Sequence, residues 1–583
     1  MVSSDCGLKE LIYMVAFART VKRHLSGVFS GESWLRASNG ARAIAVLGMV
    51  AILAFTTRVL PFHISPLPFN NDGLSECRIA GDILESRHLQ YPEGAFYLDT
   101  HSVITPIYNV MLAFSASVTG SSTYSIAQML VGIMSILSIV GAFSLTLRFT
   151  GSVKGAIATA VALSLFGTAV FLTGSTWKES LGFALLVFFF FAYAHRSERR
   201  YLVLEVTILL LLPFVHHLVT AVGYLSLSFL TAWSLYFAIV RARWRWRHTI
   251  DFLILVGLSV AAYAYYEFAS LDRLSMMSEG LGILLMAVLF IAFVAGLIAT
   301  LRNRVHTRLT FAPIPAIVVL VLATWDYFDP IFPYVPGAPH YVLILIVAIS
   351  VVLSISWFGH EVFISGSSPY RALPLAMMLP PPLLIVFSLV SGFDIHSHQV
   401  FYRTFDFVDL SLAVGIGICL SSLRNKPRLE LGITLVLVAA LLTSFPFGYE
   451  SKSLLGVRHD TQNYEVDAID WIDAVSVGEV DIQSDERLSY IAMALYDVEK
   501  VPYLPDRLMR EGLLGVGAYY VLEEEWMTVG VNDYPRGHPV LNETEIVMVL
   551  QSSNVFYCGG PSNNNVIVFV STTYGQDVVF GYH

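Results

Sequence analysis

Long apolar segments separated by short polar loops recur along most of the chain, and they restrict its fold more than any other feature. About 13 such segments lie between residues 43 and 446. Most are close to the roughly 20 residues that cross about 30 Å of hydrocarbon. Hydrophobic residues make up 55% of the 583 positions and charged residues only 14%, whereas a soluble chain of this length needs far more polar surface. The sequence therefore predicts a polytopic α-helical membrane protein.

The loop after the first span differs from the others in length and charge. The first span, Ala43–Leu60, is followed by a polar outer loop over residues 61–102. Residues 103–118 are apolar again, but they contain Pro106 and precede Gly120. We interpret them as a helix that lies at the membrane surface and does not cross it.

Three parts of the chain follow from this pattern. Residues 1–42 are predicted to form an N-terminal segment, residues 43–448 the transmembrane domain, and residues 449–583 a separate C-terminal domain. The predicted spans after the first lie near residues 125–147, 155–173, 181–194, 202–217, 219–240, 250–268, 281–301, 311–324, 340–358, 373–391, 407–422 and 430–446.

The charges of the loops predict the orientation of the chain. Basic loops alternate with acidic or neutral ones, and basic loops face the cytoplasm in membrane proteins. The alternation holds only if residues 103–118 do not cross the membrane. The N-terminal segment is then cytoplasmic and the C-terminal domain extracytoplasmic. The basic loops contain Arg148 and Lys154, His195–Arg200, Arg241–His248, Arg302–Arg308, Arg371 and Arg424–Arg428.

The C-terminal domain is predicted to be small, acidic and of α/β type. Between Glu450 and His583 there are 21 acidic residues and 7 basic ones. Apolar side chains at helical spacing predict helices over residues 463–476 and 485–497, and runs of β-formers predict strands. The predicted strands lie at residues 478–483, 518–522, 546–550 and 566–571. No nucleotide-binding glycine loop is present, and we expect no nucleic-acid partner.

Several short stretches around the first outer loop carry a resemblance to a known family. They are Asn71–Asp82 (NDGLSECRIAGD), Tyr91–Gly94 (YPEG), Thr105–Leu112 (TPIYNVML) and Gly174–Ser180 (GSTWKES). In this order they resemble the GT-C superfamily of integral membrane glycosyltransferases, which use lipid-linked sugars. The resemblance is closest to archaeal enzymes that use dolichyl-phosphate sugars.

The resemblance implies a function in glycosylation at the outer face of the cell membrane. One sugar would move from a polyprenyl (dolichyl) phosphate donor to a glycan, lipid or protein acceptor. The fold implied is a GT-C-like transmembrane domain with a surface helix after the first span and an extracytoplasmic C-terminal domain.

The first-loop carboxylates have different predicted roles. Asp72 matches the family's first-loop acidic residue, and it is placed to act as the general base that takes the proton of the attacking hydroxyl. The alternative is that Asn71 and Asp72 only cap a helix. Glu76 lies on the same helix face and either contacts the acceptor or a metal, or is solvated. Asp82 and Glu85 are predicted to be solvated.

Candidates for binding the donor phosphate follow in later loops. Lys178 either pairs with the phosphate or pairs with Glu179 at the end of a span, and Glu179 alternatively orients the acceptor. His216, His217 and Arg403 are further candidates for phosphate binding. We do not expect the two histidines to bind one metal, because adjacent residues on a helix point about 100° apart.

Metal dependence stays open at this stage. A divalent cation such as Mg²⁺ or Mn²⁺ is one possibility, because Asp394-x-His396-x-His398 has alternating polar spacing. The oligosaccharyltransferase branch of the family has a DxD in its early loops and WWDYG in its C-terminal domain. This chain has no such DxD, and its Trp325-Asp326-Tyr327 lies between spans. Transfer of a whole oligosaccharide to asparagine is therefore not expected.

The rival hypothesis is a transporter or flippase for a lipid-linked saccharide. Transporters are typically built from internal repeats with interrupted spans near the midplane of the bilayer. No internal repeat is visible in the sequence, and a transporter does not need a carboxylate-rich loop joined to a surface helix.

Overall fold

The computed structural model describes residues 37–63, 65, 67–89, 105–240, 246–270, 321, 342–365, 370, 372–390, 395–449, 460–475, 482–496, 519–523, 526, 553–559 and 566–571. The contacts divide the chain into two units, residues 1–50 and residues 51–583. The described part of the first unit is the beginning of the first helix. Every other described element belongs to the second unit.

Helices make up most of the described chain. In the first half they are α1 (Ala37–Val59), α2 (Asn71–Ser86), α3 (Ile107–Thr119), α4 (Thr123–Thr150), α5 (Val153–Leu165), α6 (Gly167–Gly174), α7 (Lys178–His195), α8 (Arg199–Leu211), α9 (His217–Val240) and α10 (Trp246–Ser270). In the second half they are α11 (Val342–Ser365), α12 (Ala372–Met378), α13 (Pro380–Val390), α14 (Ile395–Ser422), α15 (Pro427–Ser444), α16 (Asn463–Val475) and α17 (Glu486–Tyr496).

Many of these helices are long and apolar enough to cross a membrane. Among the described residues there are seven such helices, or eight if α5 and α6 form one bent span. This agrees with a multi-pass membrane protein. The predicted spans 281–301 and 311–324 lie, apart from Val321, outside the described residues, so the total of about 13 stays a prediction.

The predicted surface helix is present as α3. Pro106 precedes its first turn, and Gly120 ends it with a left-handed φ of 69°, a conformation that favours glycine. Its 13 residues rise only about 20 Å at about 1.5 Å per residue. That length is too short to cross about 30 Å of hydrocarbon. The predicted topology likewise requires a helix that does not cross here.

The prediction of one continuous span over residues 155–173 is wrong. Helices α5 and α6 are bent by 68° at a break between them. Arg58, buried in the packed helices, donates hydrogen bonds to the carbonyl oxygens of Leu163, Ser164 and Ala169 and to the hydroxyl of Thr173. The break leaves carbonyl oxygens without their helical N–H partners, and Arg58 donates hydrogen bonds in their place. In an apolar environment such carbonyl groups have to be paired within the protein.

Two other predicted spans also end or break early. The predicted span 202–217 ends as a helix at Leu211, and a short 3₁₀ turn over Leu212–Phe214 follows. The predicted span 373–391 is divided into α12 and α13, which begins at Pro380. Both interruptions occur at prolines, because proline has no N–H to donate and its ring clashes with the preceding turn of a helix.

Close packing of three spans depends on glycine. A Cβ at Gly359 of α11 would lie 2.0 Å from the carbonyl oxygen of Gly415 in α14. A Cβ at Gly155 of α5 would lie 2.5 Å from the carbonyl oxygen of Gly417 in the same helix α14. Small residues allow helix backbones to approach in this way. Helix α14, which carries Arg403 near its beginning, is thereby held between α5 and α11.

The elements near the C-terminus form a sheet with two helices. Strands β1 (Ile482–Gln483), β2 (Tyr519–Glu523), β3 (Ser553–Gly559) and β4 (Val566–Ser571) are arranged in the order β1-β2-β4-β3. β1 and β2 are parallel and the other pairs are antiparallel.

These elements match most of the predictions for the C-terminal region. Helices α16 and α17 and strands β2 and β4 lie where the pattern predicted them, β1 covers only the end of its predicted strand, and β3 was not predicted. The predicted strand 546–550 lies outside the described residues. The boundaries of the proposed domain, residues 449–583, stay a prediction.

Helix α2 packs against this C-terminal region. Leu74 is fully buried in one apolar cluster with Ile469 of α16 and Ile491 of α17. The hydroxyl of Tyr124 at the start of α4 donates a 2.9 Å hydrogen bond to the carbonyl oxygen of Ala494. The C-terminal region therefore contacts both α2 and the beginning of α4.

Candidate functional site

Asp72 lies in the first turn of α2, but it does not cap the helix. The capping residue is Asn70, whose side-chain oxygen accepts a 3.0 Å hydrogen bond from the Asp72 N–H. Asn70 has a φ of 100°, which is unusual for a residue with a Cβ. The alternative in which Asn71 and Asp72 cap the helix is therefore wrong. The Asp72 carboxylate is available for another contact, and its side chain is 40% exposed.

That contact is with Arg403 of α14. Arg403 Nη2 lies 3.2 Å from Asp72 Oδ2, and Arg403 Nη1 lies 2.7 Å from Glu179 Oε1. One guanidinium thus holds two carboxylates, a geometry that its planar fork of donors suits. Glu179, in the first turn of α7, is only 3% exposed, whereas Asp72 faces solvent. The two carboxylates therefore have different environments around one shared cation.

His216 joins the same cluster from a third side. Its Nε2 lies 3.1 Å from Glu179 Oε1. The rings of His216 and His217 are stacked with centroids 4.3 Å apart and planes inclined by 31°. The expectation that the two rings point apart is wrong, because His216 precedes the first residue of α9 and does not have helical geometry. His216 is buried and His217 is exposed.

Glu76 and Lys178 form a second ion pair close by. Lys178 Nζ lies 3.3 Å from Glu76 Oε1 and donates a 3.1 Å hydrogen bond to the hydroxyl of Thr105. Asn109 of the surface helix donates a short hydrogen bond to the other Glu76 oxygen. Burial raises the pKa of the Glu76 carboxyl above its usual value, although the Lys178 charge and the Asn109 hydrogen bond act in the opposite direction.

The sequence did not predict that Glu76 and Lys178 pair with each other. Lys178 was expected to contact the donor phosphate or Glu179, and Glu76 the acceptor, a metal or solvent. The structure has both side chains buried, and their pairing ties α2 to the start of α7. Glu85 is exposed as expected, whereas Asp82 is partly buried and forms an ion pair with Arg78.

Trp177 supports Arg403 and was not singled out from the sequence. The Arg403 guanidinium carbon lies 5.6 Å from the centre of the buried Trp177 indole, within the range of a cation–π contact. The indole N–H donates a 2.9 Å hydrogen bond to the carbonyl oxygen of Leu172, which orients the ring. The sequence signal was present, because the tryptophan directly precedes Lys178 and Glu179.

A metal site is not apparent in the part of the chain that the structure describes. No group of three or more histidine, cysteine, aspartate or glutamate side chains there has an arrangement that would hold a metal ion. Asp394, the side chains of His396 and His398, and Trp325–Tyr327 lie outside the described residues. The possible role of Mg²⁺ or Mn²⁺ therefore stays a prediction.

Comparison with known proteins gives similarity to solved structures only. No family model matches the chain, and no curated protein matches it. The chain is similar to the archaeal oligosaccharyltransferase AglB from Archaeoglobus fulgidus in complex with an inhibitory peptide and a dolichol-phosphate. The identity is 13% and the TM-score 0.48, over 90% of this chain and 74% of that chain.

Two further solved structures are similar over most of the chain. ArnT from Cupriavidus metallidurans bound to undecaprenyl phosphate has a TM-score of 0.42 and covers 93% of this chain and 100% of its own. The arabinofuranosyltransferase AftD from Mycobacteria has a TM-score of 0.45 over 91% of this chain and 40% of its own. Both are 13% identical.

Proposed function

We propose that the chain is a GT-C-type membrane glycosyltransferase that moves one sugar from a polyprenyl (dolichyl) phosphate to an acceptor on the outer face. The observation that carries the proposal is the single guanidinium of Arg403 between a half-exposed Asp72 and a buried Glu179. These three residues lie at the ends of helices that the loop charges place on one side of the membrane. Their convergence supports that topology and a reaction centre at that face.

Asp72 acts as the general base in this proposal. An acceptor hydroxyl attacks the anomeric carbon of the donor sugar, and its proton passes to the Asp72 carboxylate. The bond between the anomeric carbon and the phosphate oxygen breaks, and polyprenyl phosphate leaves with the electron pair. This single displacement inverts the anomeric carbon. The described residues of the site include three carboxylates, and among these only that of Asp72 is substantially exposed.

The basic side chains stabilise the negative charge that develops on the phosphate. Arg403 is central because it lies next to Asp72 and donates from a rigid plane. His216 contacts Glu179, and the exposed His217 beside it is the histidine that a phosphate reaches directly from solvent. Lys178 contributes through the field of its charge, because its contacts with Glu76 and Thr105 hold it beside the surface helix. Glu179 keeps Arg403 and His216 in position.

The lipid donor enters from the outer leaflet, and the C-terminal region faces the same compartment. An archaeal cell membrane, with the N-terminus in the cytoplasm, fits the family resemblance and the loop charges. The acceptor is a glycan, a lipid or a protein. The described carboxylates pair with cationic side chains, which is compatible with catalysis without a metal. The test below includes EDTA to determine whether a divalent cation is needed.

The test is incubation of the purified protein with a panel of polyprenyl-phosphate sugars and acceptors, with and without EDTA. Release of polyprenyl phosphate together with a glycosylated acceptor supports the proposal. The rival function, transport of a lipid-linked saccharide, is measured in proteoliposomes by the accessibility of labelled donor. Movement of intact donor across the bilayer with no release of polyprenyl phosphate from any donor would sink the proposal.

A further inference from the structure

Helix α4 contains a buried glutamine whose side chain joins the two loops that carry the candidate carboxylates. Gln128 has no solvent exposure and lies in a helix that is otherwise apolar enough to cross a membrane. Polar side chains in such helices are expensive to bury and are retained where they bind something. The question is therefore what Gln128 holds.

All four hydrogen-bonding positions of the Gln128 amide are used. Its Nε2 donates to the carbonyl oxygens of Arg58 and Gly174, the latter at 2.7 Å. Its Oε1 accepts from the N–H of Phe69 at 3.2 Å and from the hydroxyl of Thr176 at 3.0 Å. The amide can adopt only this orientation, because carbonyl oxygens only accept and a main-chain N–H only donates.

The four partners come from both approaches to the site. Phe69 precedes Asp72 by three residues, and Thr176 precedes Glu179 by three residues. The two segments also touch directly, because the Thr176 N–H donates a 2.9 Å hydrogen bond to the Phe69 carbonyl oxygen. A Cβ at Gly73 would lie 2.9 Å from the Thr176 carbonyl oxygen. The backbones that lead to the two carboxylates are thus in contact, and Gln128 fastens both.

The geometry points to Gln128 as a positioning residue that sets the separation of Asp72 from Glu179, so that one guanidinium reaches both. Arg403 is rigid and its two nitrogens are fixed relative to each other. If the two segments move apart, Arg403 loses one carboxylate. Gln128 touches neither the carboxylates nor Arg403, and it acts through the two backbones. Its effect on turnover rests on the proposed function, whereas its effect on the backbones does not.

The experiment measures amide hydrogen exchange in the full-length protein, which needs no donor or acceptor. Gln128→Met keeps the volume and removes all four hydrogen bonds. The expected result is exchange at least about tenfold faster in peptides covering residues 67–72 and 174–180, because their hydrogen bonds open more often. Ser135→Ala is the matched control. Ser135 is buried in the same helix, but its hydroxyl bonds only to Gly132 of α4, and exchange in the two peptides should not change.

A milder variant covers the case in which Gln128→Met does not fold. Thr176→Val removes a single hydrogen-bond donor to Gln128 and keeps the shape of the side chain. It should make amide exchange faster at residues 67–72, which belong to the segment that does not contain the substitution. Unchanged exchange in both peptides for the folded variants would overturn the inference.

Turnover is measured separately with the donor identified by the panel. Gln128→Met should lower kcat by about 10²-fold with little change in KM for the donor, because a displacement of about 1 Å at reacting groups has effects of this size. Faster exchange with unchanged kcat would refute the positioning role. If the wild type turns over no donor, the proposed function fails, and the exchange data alone decide whether Gln128 joins the two segments.

Discussion

Replacement of Asp72 by asparagine separates a catalytic role from a structural one. The amide has nearly the shape of the carboxylate, so the change removes a charge and a proton acceptor and little else. Asp72 forms an ion pair with Arg403 at 3.2 Å, and its side chain is 40% exposed. Exposed pairs of this kind contribute about 0.2–1 kcal/mol to stability. We therefore expect the free energy of unfolding to fall by no more than about 1 kcal/mol.

The expected effect on turnover is much larger. Loss of a general base typically lowers the rate by about 10²–10⁴-fold. At about 1.36 kcal/mol for each factor of ten, this corresponds to about 2.7–5.4 kcal/mol in the activation free energy. The predicted loss of transition-state stabilisation thus exceeds the predicted loss of folding stability several-fold. A residue that only stabilises the fold through an exposed ion pair would not give such a difference.

Asp82→Asn is a matched control on the same helix. Asp82 also accepts from an arginine at 3.2 Å, in this case Arg78, and its side chain is 23% exposed. The two substitutions therefore remove comparable ion pairs from α2, but Asp82 lies away from Arg403. Asp82→Asn should keep turnover within about threefold of the wild type, since an exposed pair contributes so little.

The assay is single-turnover release of polyprenyl phosphate, with thermal unfolding in detergent measured in parallel. The reasoning is refuted if Asp72→Asn retains turnover close to that of the wild type with a donor that the wild type uses. The base would then have to be another carboxylate, with Glu76 or Glu179 next in order. Equal loss of turnover in both variants would also contradict the assignment, because the described partner of Asp82 is Arg78, which is not one of the residues that contact Arg403.

Three further predictions follow from other parts of the structure. Gly359→Ala should lower the free energy of unfolding by about 1–3 kcal/mol, because its Cβ would lie 2.0 Å from a carbonyl oxygen of α14. Gly432→Ala is the control and should be tolerated in the same thermal assay, because its Cβ would have no neighbouring atom within 4 Å. Burial raises the pKa of Glu76, so above the usual glutamate pKa the folded state binds more protons than the unfolded state. The free energy of unfolding should therefore fall as the pH rises through that range. The melting temperature, measured between pH 4 and 8, should depend less on pH in Glu76→Gln than in the wild type, and an equal dependence would contradict the raised pKa. A cysteine introduced at Asn542 should react with an impermeant thiol reagent in intact cells and one at Arg245 should not, and the opposite labelling pattern would invert the topology.

The helices follow from local features of the sequence to a large extent. The helix predicted over residues 103–118 is present as α3, although it begins only after Pro106 and ends at Gly120, because both residues act on the backbone next to them. The helices of the C-terminal region follow from apolar spacing in the same way. The break between α5 and α6 does not, because no proline marks it and Arg58, which satisfies its carbonyls, is distant in sequence.

The candidate site was predictable as a set of residues but not as a set of contacts. The loop charges predict that Asp72, Glu179, His216 and Arg403 lie at one membrane face, and the structure brings them into one cluster. The contacts differ from those expected, since Lys178 was expected to pair with a phosphate or with Glu179 and it pairs with the buried Glu76. Side-chain pairs of this kind depend on which helix ends meet.

The amino-acid sequence alone determined the membrane class and the helix ends set by proline and glycine, and it predicts the face on which the charged loops lie. Each of these depends on neighbouring residues or on the transfer of a segment from water to lipid, and both are local properties. The tertiary structure decided that Arg403 joins Asp72, 331 positions away, to Glu179, 224 positions away. A charge takes the partner that the packed helices bring within about 3 Å, and close packing at residues such as Gly359 and Gly155 determines which helices can approach.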